Sequence, residues 1–445
     1  MSFIIGANSA VGGGYDVDNS CNFELGSLHK SVSTPSTTFT ISVWVKLSNQ
    51  YVNSSSIGQR YFWTGGNNSG ASGAKWNDGN TGILDFYNEG TGHVDDGTDR
   101  QYSDPSAWYH WVWKNSGGTG TLYVNGVQQG STFSMGPLIG SGGSDVINIG
   151  RYGAATVYAP MTLAEFVYLD GTAATPTSFG EFDEDSGIWK PIDVSGLTFG
   201  TNGFHLDFSN ASALGTDANG GTTLTTTATL SQLTDSPTNN FATLNPLNYT
   251  STAIPYSKGN TYGTFPGAWM ASLPTIGLTN GKWFWEAKLN SGNDANMFYG
   301  VAREGIDLDT SPQNQTGVIV QKNDGDRYVD GSYSAGAAES IASGNTLGVA
   351  LDLDSGTKTI KFYKNGTLLS SGSSINLTSN FDGYTLFPIF IGNSSSATAE
   401  WQTNFGNPAY AISSGNADGN GYGNFEYAVP SGYFALCTKN LAEHG

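Results

Sequence analysis

The sequence predicts an all-β chain of two tandem antiparallel β-sandwich, jelly-roll-like domains, and three observations carry that reading. Charged residues make up only 12% of the 445 positions, while glycine alone occupies 61. Charge at about half its usual ~25% share, combined with many turn formers, suits short strands joined by tight connections. No stretch supplies Leu, Glu, Lys and Ala at a period of 3.6, as long helices require. A similar motif set also occurs twice. Phe39–Leu47, Trp108–Trp113 and Leu122–Val127 form the first set, and Gly281–Glu286, Leu347–Asp352 and Ile360–Gly366 the second. Each set closes through Asn-Gly, the strongest short hairpin signal.

The elements follow in order. Phe39, Ile41, Val43, Val45 and Leu47 alternate with Thr40, Ser42 and Lys46, which predicts an inward and an outward strand face with Trp44 the large exception. Trp108–Trp113, Leu122–Val127, Asp145–Gly150 and Leu163–Gly171 read as further strands. Thr172–Gly187 holds Pro176 among small and acidic residues and reads as a loop with one short helix. Ser209–Ser236 lacks a dense hydrophobic face and reads as a linker, so the domains are expected at 1–208 and 237–445. In the second half the strands fall at Phe284–Leu289, Phe298–Ala302, Val318–Gln321, Leu347–Leu353, Thr359–Tyr363 and Thr385–Gly392. Turns at Asp354–Gly356 and Lys364–Gly366 separate them. With no third copy of the motif set, sandwiches fit better than a propeller.

Composition narrows the function. Lys and Arg number 18 against 37 Asp and Glu, a net charge of 18 − 37 = −19. The acidity is shared by both halves, which repels phosphate backbones, so nucleic acid is not an expected partner. Cys21 and Cys437 stand near opposite ends, which leaves no disulfide framework and predicts isolated thiols. The start, Met1–Gly6, has no basic region and only a short apolar run, so no signal peptide is expected. No stretch approaches 18 apolar residues, so no membrane insertion by a helix is expected. Synthesis in a cytoplasm, with any exterior location reached by assembly or lysis, is the corresponding expectation.

The chemistry-bearing residues are few. His29, His93, His110, His205 and His444 are scattered without metal-ligand spacing, and His110, inside a strand, is expected to be packed or hydrogen-bonded. No nucleophile elbow or phosphate loop occurs. Sugars stack on exposed aromatic rings while Asn and Asp read their hydroxyls, which selects Trp76 with Asp78 and Asn80, and then Tyr328, as ligand-binding candidates. Trp44, Trp111 and Trp285 are expected in cores. Asp324, Asp326 and Asp330 share one turn, and Asp95, Asp96 and Asp99 another. Each reads as a solvated turn, with calcium as the alternative, because calcium takes six to eight oxygens. No other cofactor is expected.

Several segments resemble known families. Ile41–Val45, Trp108–Val112, Leu122–Gly126 and Ile149–Arg151 come in the order seen in concanavalin A-like lectin/laminin G domains. Trp283–Glu286, Tyr299–Val301, Leu347–Asp352, Phe362–Gly366, Leu386–Pro388 and Asn404–Gly406 resemble the SPRY fold. Phe179–Trp189 with Leu197–Phe204 is similar to a passage of tailed-bacteriophage structural proteins. Asp235–Pro246 resembles the joint such proteins place before a SPRY-like unit, especially in phages of marine bacteria. The resemblance implies a structural protein on the virion exterior, a tail fibre or receptor-binding component that recognises host-surface glycan. Head decoration or a capsid fibre, with a structural role, is the alternative. The implied partners are other virion proteins and a host carbohydrate or protein, and the implied assembly is a homo-oligomer, a trimer among its forms. A polysaccharide depolymerase is the third reading. Glycosidases on the lectin-like fold use Glu-x-Asp-x-x-Glu to set two carboxyls on one strand face, but here Glu181 and Asp183 are followed by Ser186. Retaining hydrolysis needs two carboxyls about 5–5.5 Å apart, so no catalytic residue is assigned and no enzyme is expected.

Overall fold

The computed structural model describes residues 14–48, 60–66, 72–77, 83–88, 92–94, 100–102, 104–138, 146–153, 158–248, 250, 253–266, 269–291, 296–369, 374–393 and 399–445. Two compact units result, one ending at Asn240 and the other spanning Phe241–Gly445.

The first unit opens with β1 (Ser20–Asn22), β2 (Ser27–Ser31), β3 (Phe39–Leu47), β4 (Arg60–Gly65), β5 (Ser72–Asn77) and β6 (Ile83–Asn88). It continues with β7 (Gly92–Val94), β8 (Trp108–Ser116), β9 (Thr119–Val124), β10 (Val127–Ser134), β11 (Val146–Ile149) and β12 (Met161–Asp170). Short strands complete it: β13 (Gly180–Phe182), β14 (Trp189–Pro191), β15 (Phe204–Leu206), β16 (Thr225–Thr227) and β17 (Ser231–Leu233). One sheet has the order β10-β9-β8-β3-β12-β1-β17 with β15 beside β12, the other β16-β2-β11-β4-β5-β6-β7, and β13 pairs with β14 as a separate hairpin. The inward residues of β3 are those the alternation predicts. They join Trp63, Trp111 and Trp113 in one core, where each large apolar side chain contributes roughly 1.5–3 kcal/mol.

The opposite face of β3 departs from expectation. Thr40, Ser42, Trp44 and Lys46 are all buried, because a second layer covers this face. Phe179, Val194 and Phe199 pack on Val112, Val167 and Leu169. Val17 and Trp189 pack with Trp44, Trp108 and Ala164. The polar members are satisfied there: Thr40 Oγ1 donates to Thr172 O at 2.8 Å and accepts from Ala174 N at 2.8 Å. Trp44 thus belongs to this outer layer and not to the core that holds Trp111.

Residues 209–236, read from composition as a linker, are instead part of the first unit. β16 pairs with β2 and β17 with β1, one on each sheet, and Leu214 and Leu224 enter the core. So few apolar anchors leave almost no pattern, because backbone pairing holds the segment. The 172–187 stretch forms the short helix expected, a 3₁₀ turn at Pro176–Ser178, and then turns into the β13–β14 hairpin.

The second unit contains β18 (Tyr256–Ser257), β19 (Tyr262–Phe265), β20 (Met270–Ser272), β21 (Lys282–Ser291), β22 (Asn296–Arg303) and β23 (Val318–Lys322). After them come β24 (Arg327–Val329), β25 (Ser332–Ser334), β26 (Thr346–Asp352), β27 (Thr359–Lys364), β28 (Thr367–Leu368) and β29 (Ile375–Asn376). β30 (Leu386–Asn393), β31 (Ala399–Asn404), β32 (Phe434–Ala435) and helix α1 (Thr438–His444) end the chain. One sheet runs β18-β19-β31-β21-β26-β27-β28 with β29 and β32 attached, the other β20-β30-β22-β23-β24-β25. Trp283, Trp285, Tyr299 and Trp401 fill the space between them. Phe425, Tyr433, Ala435 and Cys437 cover the far side of β21 and β26 by packing on Phe284 and Ala350. Cys21 and Cys437 are both buried and are not joined in a disulfide. Among the described residues no helix is long and apolar enough to cross a membrane.

Candidate functional site

In the first unit the outer layer leaves a cleft beside the β13–β14 hairpin, and a tight turn sets its geometry. Asn125 and Gly126 join β9 to β10 at φ 47° and 78°, the paired left-handed conformation of a two-residue hairpin. Asn125 exchanges two bonds with His110: its amide donates to His110 O at 2.8 Å, and its Oδ1 accepts from His110 N at 2.7 Å. A Cβ on Gly126 would lie 2.4 Å from the Trp189 ring, so glycine lets the indole rest against the turn.

Trp189 is fixed by a buried relay. Its Nε1 donates to His110 Nδ1 at 2.9 Å, which leaves the His110 proton on Nε2, 2.7 Å from Ser42 Oγ. Burial pushes the His110 pKa down to about 3, so the ring stays neutral and the relay holds through the physiological range. Trp44 stacks on the same imidazole at 4.8 Å. At the hairpin tip Asp183 Oδ1 accepts from Ser186 N at 2.9 Å and Ser186 Oγ at 2.8 Å, and Oδ2 accepts from Lys190 Nζ at 3.1 Å. These bonds, the Ser186 amide first, hold its carboxyl well below the usual range.

The resulting cleft encloses about 350 Å³. Trp44, Trp108 and Trp189 form its floor side, Phe182 stands edge-on to Trp189 at 4.9 Å, and Arg100 and Gln129 add polar groups. Tyr102 Oη donates to Gln129 Oε1 at 2.8 Å, which orients that amide. Phe182 is 51% exposed although apolar, and so is available to a ligand. A cavity of this size with aromatic walls and a few polar groups suits one ring of a polyhydroxylated ligand. The hairpin is built from the Phe179–Trp189 passage that the sequence singled out. The sequence reading of 172–187 as a loop with one short helix does not contain this hairpin, and the burial of Trp44 and Trp108 beneath it is a long-range matter.

The residues selected from sequence have different fates. Trp76 lies in β5, its backbone paired with Arg60 and Leu84, and so stands in a central strand of its sheet and not in a loop. Asp78, Asn80, Asp95, Asp96 and Asp99 lie outside the described residues. Tyr328 lies in β24, directly opposite Tyr333 of β25, with ring centroids 5.2 Å apart. The proposed calcium carboxylates Asp324, Asp326 and Asp330 are not brought together as one ligand set. Asp324 pairs with Lys322. Asp326 accepts from Tyr333 Oη at 2.8 Å and Gly336 N at 2.9 Å. Asp330 accepts from Gly317 N at 2.7 Å and from Thr378 Oγ1. Among the described residues no group of three His, Cys, Asp or Glu side chains is placed to hold a metal ion. Glu181 and Asp183, the remnant of the glycosidase-like pattern, both contact Lys190, at 3.4 and 3.1 Å, on an exposed hairpin.

Each of the two β-sandwich units thus carries an accessory layer over one sheet. Residues 24–172 match the concanavalin A-like lectin/glucanases superfamily, and residues 282–408 match the SPRY domain. Among solved structures, the SPRY domain of human HERC1 is 18% identical with a TM-score of 0.30, over 36% of this chain and 96% of that one. Another human SPRY domain is 17% identical with a TM-score of 0.28, over 36% of this chain and 97% of that one. No curated protein matches the chain. A lectin-like domain followed by a SPRY-like domain is consistent with binding carbohydrate or protein.

Proposed function

We propose that this chain is a recognition component on the exterior of a tailed-bacteriophage virion, a tail fibre or receptor-binding protein that holds a host-surface saccharide in the cleft of its lectin-like unit. The observation that carries this reading is the exposed Phe182 beside the fixed Trp189, over an aromatic cleft of about 350 Å³. A pyranose would lay its C–H face on these rings and exchange hydrogen bonds with Gln129 and Arg100. The virion setting is supported by the Phe179–Trp189 passage, since the segment that resembles phage structural proteins also lines the cleft. A single cleft of this kind binds weakly, and several copies on one particle would raise the avidity by 10²-fold or more.

The test is binding of the full chain to an array of bacterial surface polysaccharides and to host cells, with Phe182→Ala beside the wild type. Loss of the exposed ring is expected to weaken binding about tenfold, or ~1.4 kcal/mol, with unfolding temperature unchanged. Gold-labelled antibody on intact particles is expected at the tail. Label over the head, with no polysaccharide bound, would favour the decoration role. Release of reducing ends from the bound polysaccharide would show a depolymerase instead.

A further inference from the structure

The second unit carries an aromatic surface that the cleft does not explain. Beneath the outer face of the β20-β30-β22-β23-β24-β25 sheet lies a small apolar layer separate from the main core, including Phe298, Val320 and Ile391. Trp269 packs on Phe298 at 5.8 Å from one side and Tyr328 at 5.7 Å from another. Tyr333 extends this row to the sheet edge. It sits directly opposite Tyr328, where side chains of an antiparallel pair share a face, and it is 55% exposed.

Two features distinguish this pair from stray surface apolarity. Tyr333 is anchored, its hydroxyl donating to Asp326 Oδ2 at 2.8 Å while Asp326 Oδ1 is held by Gly336 N. The ring is therefore oriented and not free to fold onto the layer beneath. Tyr333 also stands on the edge strand β25, where a charged residue is the usual guard against unwanted pairing. An aromatic there gives up that protection.

Resting on the reading of the chain as a saccharide-recognition protein, we infer that Tyr328 and Tyr333 form a second ligand platform, for a neutral saccharide, in the SPRY-like unit. Charge selects the class. Asp324 is neutralised by Lys322, but Asp326 stands against Tyr333, and its carboxylate accepts from hydroxyl groups while repelling uronates, phosphates and nucleic acids. A neutral sugar supplies both an apolar ring face for the tyrosines and a hydroxyl donor for Asp326.

The experiment is calorimetric titration of the full chain with soluble neutral hexasaccharides of glucose, mannose and galactose, and with a hexauronate. Wild type, Tyr333→Ala, Tyr333→Phe and Phe182→Ala are compared. At least one neutral hexasaccharide is expected to bind at two sites, and the site that remains in Phe182→Ala is expected to be weakened about tenfold by Tyr333→Ala and kept within threefold of wild type by Tyr333→Phe. The hexauronate is expected not to compete at this platform. Because Tyr333 is exposed, equal unfolding temperatures will separate lost binding from lost fold. Neutral binding abolished by Phe182→Ala but untouched by Tyr333→Ala would overturn the platform and leave the cleft standing. Binding that survives Phe182→Ala and fails in Tyr333→Ala would do the reverse. No heat with any neutral probe, or a protein ligand alone captured by this edge, would also overturn the platform.

Discussion

Lys46 lies on the face of β3 that alternation assigns to solvent, yet its side chain is almost wholly buried. Its ammonium meets Asp235 Oδ2 at 2.7 Å and donates to Asn240 Oδ1 at 2.6 Å, and Asp235 Oδ1 accepts from Trp108 Nε1 at 3.5 Å. Asn240 in turn donates to Ser106 O at 2.7 Å. The group pins residues 235–240 to the outer layer of the first unit. Removing one member of a buried pair strands the other charge, at a cost of about 3–5 kcal/mol, whereas replacing both by apolar residues is often close to neutral. Lys46→Met is therefore expected to lower stability by about that amount, and Lys46→Met with Asp235→Leu to recover most of it. Denaturant unfolding of the two variants checks this; equal losses in both would mean that hydrogen bonding, not stranded charge, dominates. The alternation of β3 revealed which way Lys46 points. It did not reveal the burial, because the partner lies 189 residues further along the chain.

At the scale of elements, the repeated motif set proves to be a repeated device. Asn125-Gly126 and Asn365-Gly366 both take left-handed φ, 47° and 78° in one, 48° and 75° in the other. Each asparagine bonds twice to the neighbouring strand: Asn365 N donates to Thr346 O at 2.8 Å and its Oδ1 accepts from Thr346 N at 2.9 Å, matching Asn125 with His110. Each glycine also lies under an aromatic from a later segment, since a Cβ would meet Trp189 at 2.4 Å in one turn and Tyr427 at 2.6 Å in the other. Alanine at either glycine combines left-handed strain with overpacking, so a loss of about 2–4 kcal/mol is expected. The two substitutions should differ in consequence. Gly126→Ala displaces Trp189 and weakens saccharide binding in the cleft, while Gly366→Ala loses stability alone; paired melting and binding curves would test the difference, and unchanged binding in Gly126→Ala would detach the hairpin from the site. Both turns and their flanking strands were legible, because Asn-Gly between alternating runs is a local signal. The aromatic lids were not, nor were the two strands within residues 209–236, because each depends on a surface made elsewhere in the chain.

For the whole molecule the titrating groups point to a stability maximum on the mildly acidic side of neutrality. Glu286 is buried on β21, where its carboxyl accepts from Glu426 N and Tyr427 N at 2.9 Å, Asn404 Nδ2 at 3.2 Å and Tyr410 Oη at 3.3 Å. Burial outweighs these donors and raises its pKa from 4.5 to about 7. A folded value above the unfolded one favours the protonated form in the fold, so this contribution is complete below pH 4.5 and lost as pH rises through 7. His205 acts in the same direction. Burial pulls its pKa down, but the hydrogen bond at 2.8 Å and charge of Glu165 more than offset this, so its contribution is lost above 6.5. The acid limb has the opposite sign. Asp352, despite the cost of burial, is held below 3.8 by Lys282 at 2.9 Å and by Ser355, and what it contributes disappears as pH falls through that lowered value. Net charge adds to the slope, because the chain carries −19 at pH 7 and approaches neutrality near its pI of 4.4, which relieves self-repulsion. Unfolding temperature is thus expected to peak between roughly pH 4.5 and 6 and to decline toward pH 8, with Glu286 contributing at most about 1.4 kcal/mol per pH unit of that decline. Glu286→Gln should flatten the neutral limb while leaving the acid limb in place. A stability that instead rises toward pH 8 in the wild type would mean that the four donors around Glu286 prevail over its burial and keep the carboxylate ionised.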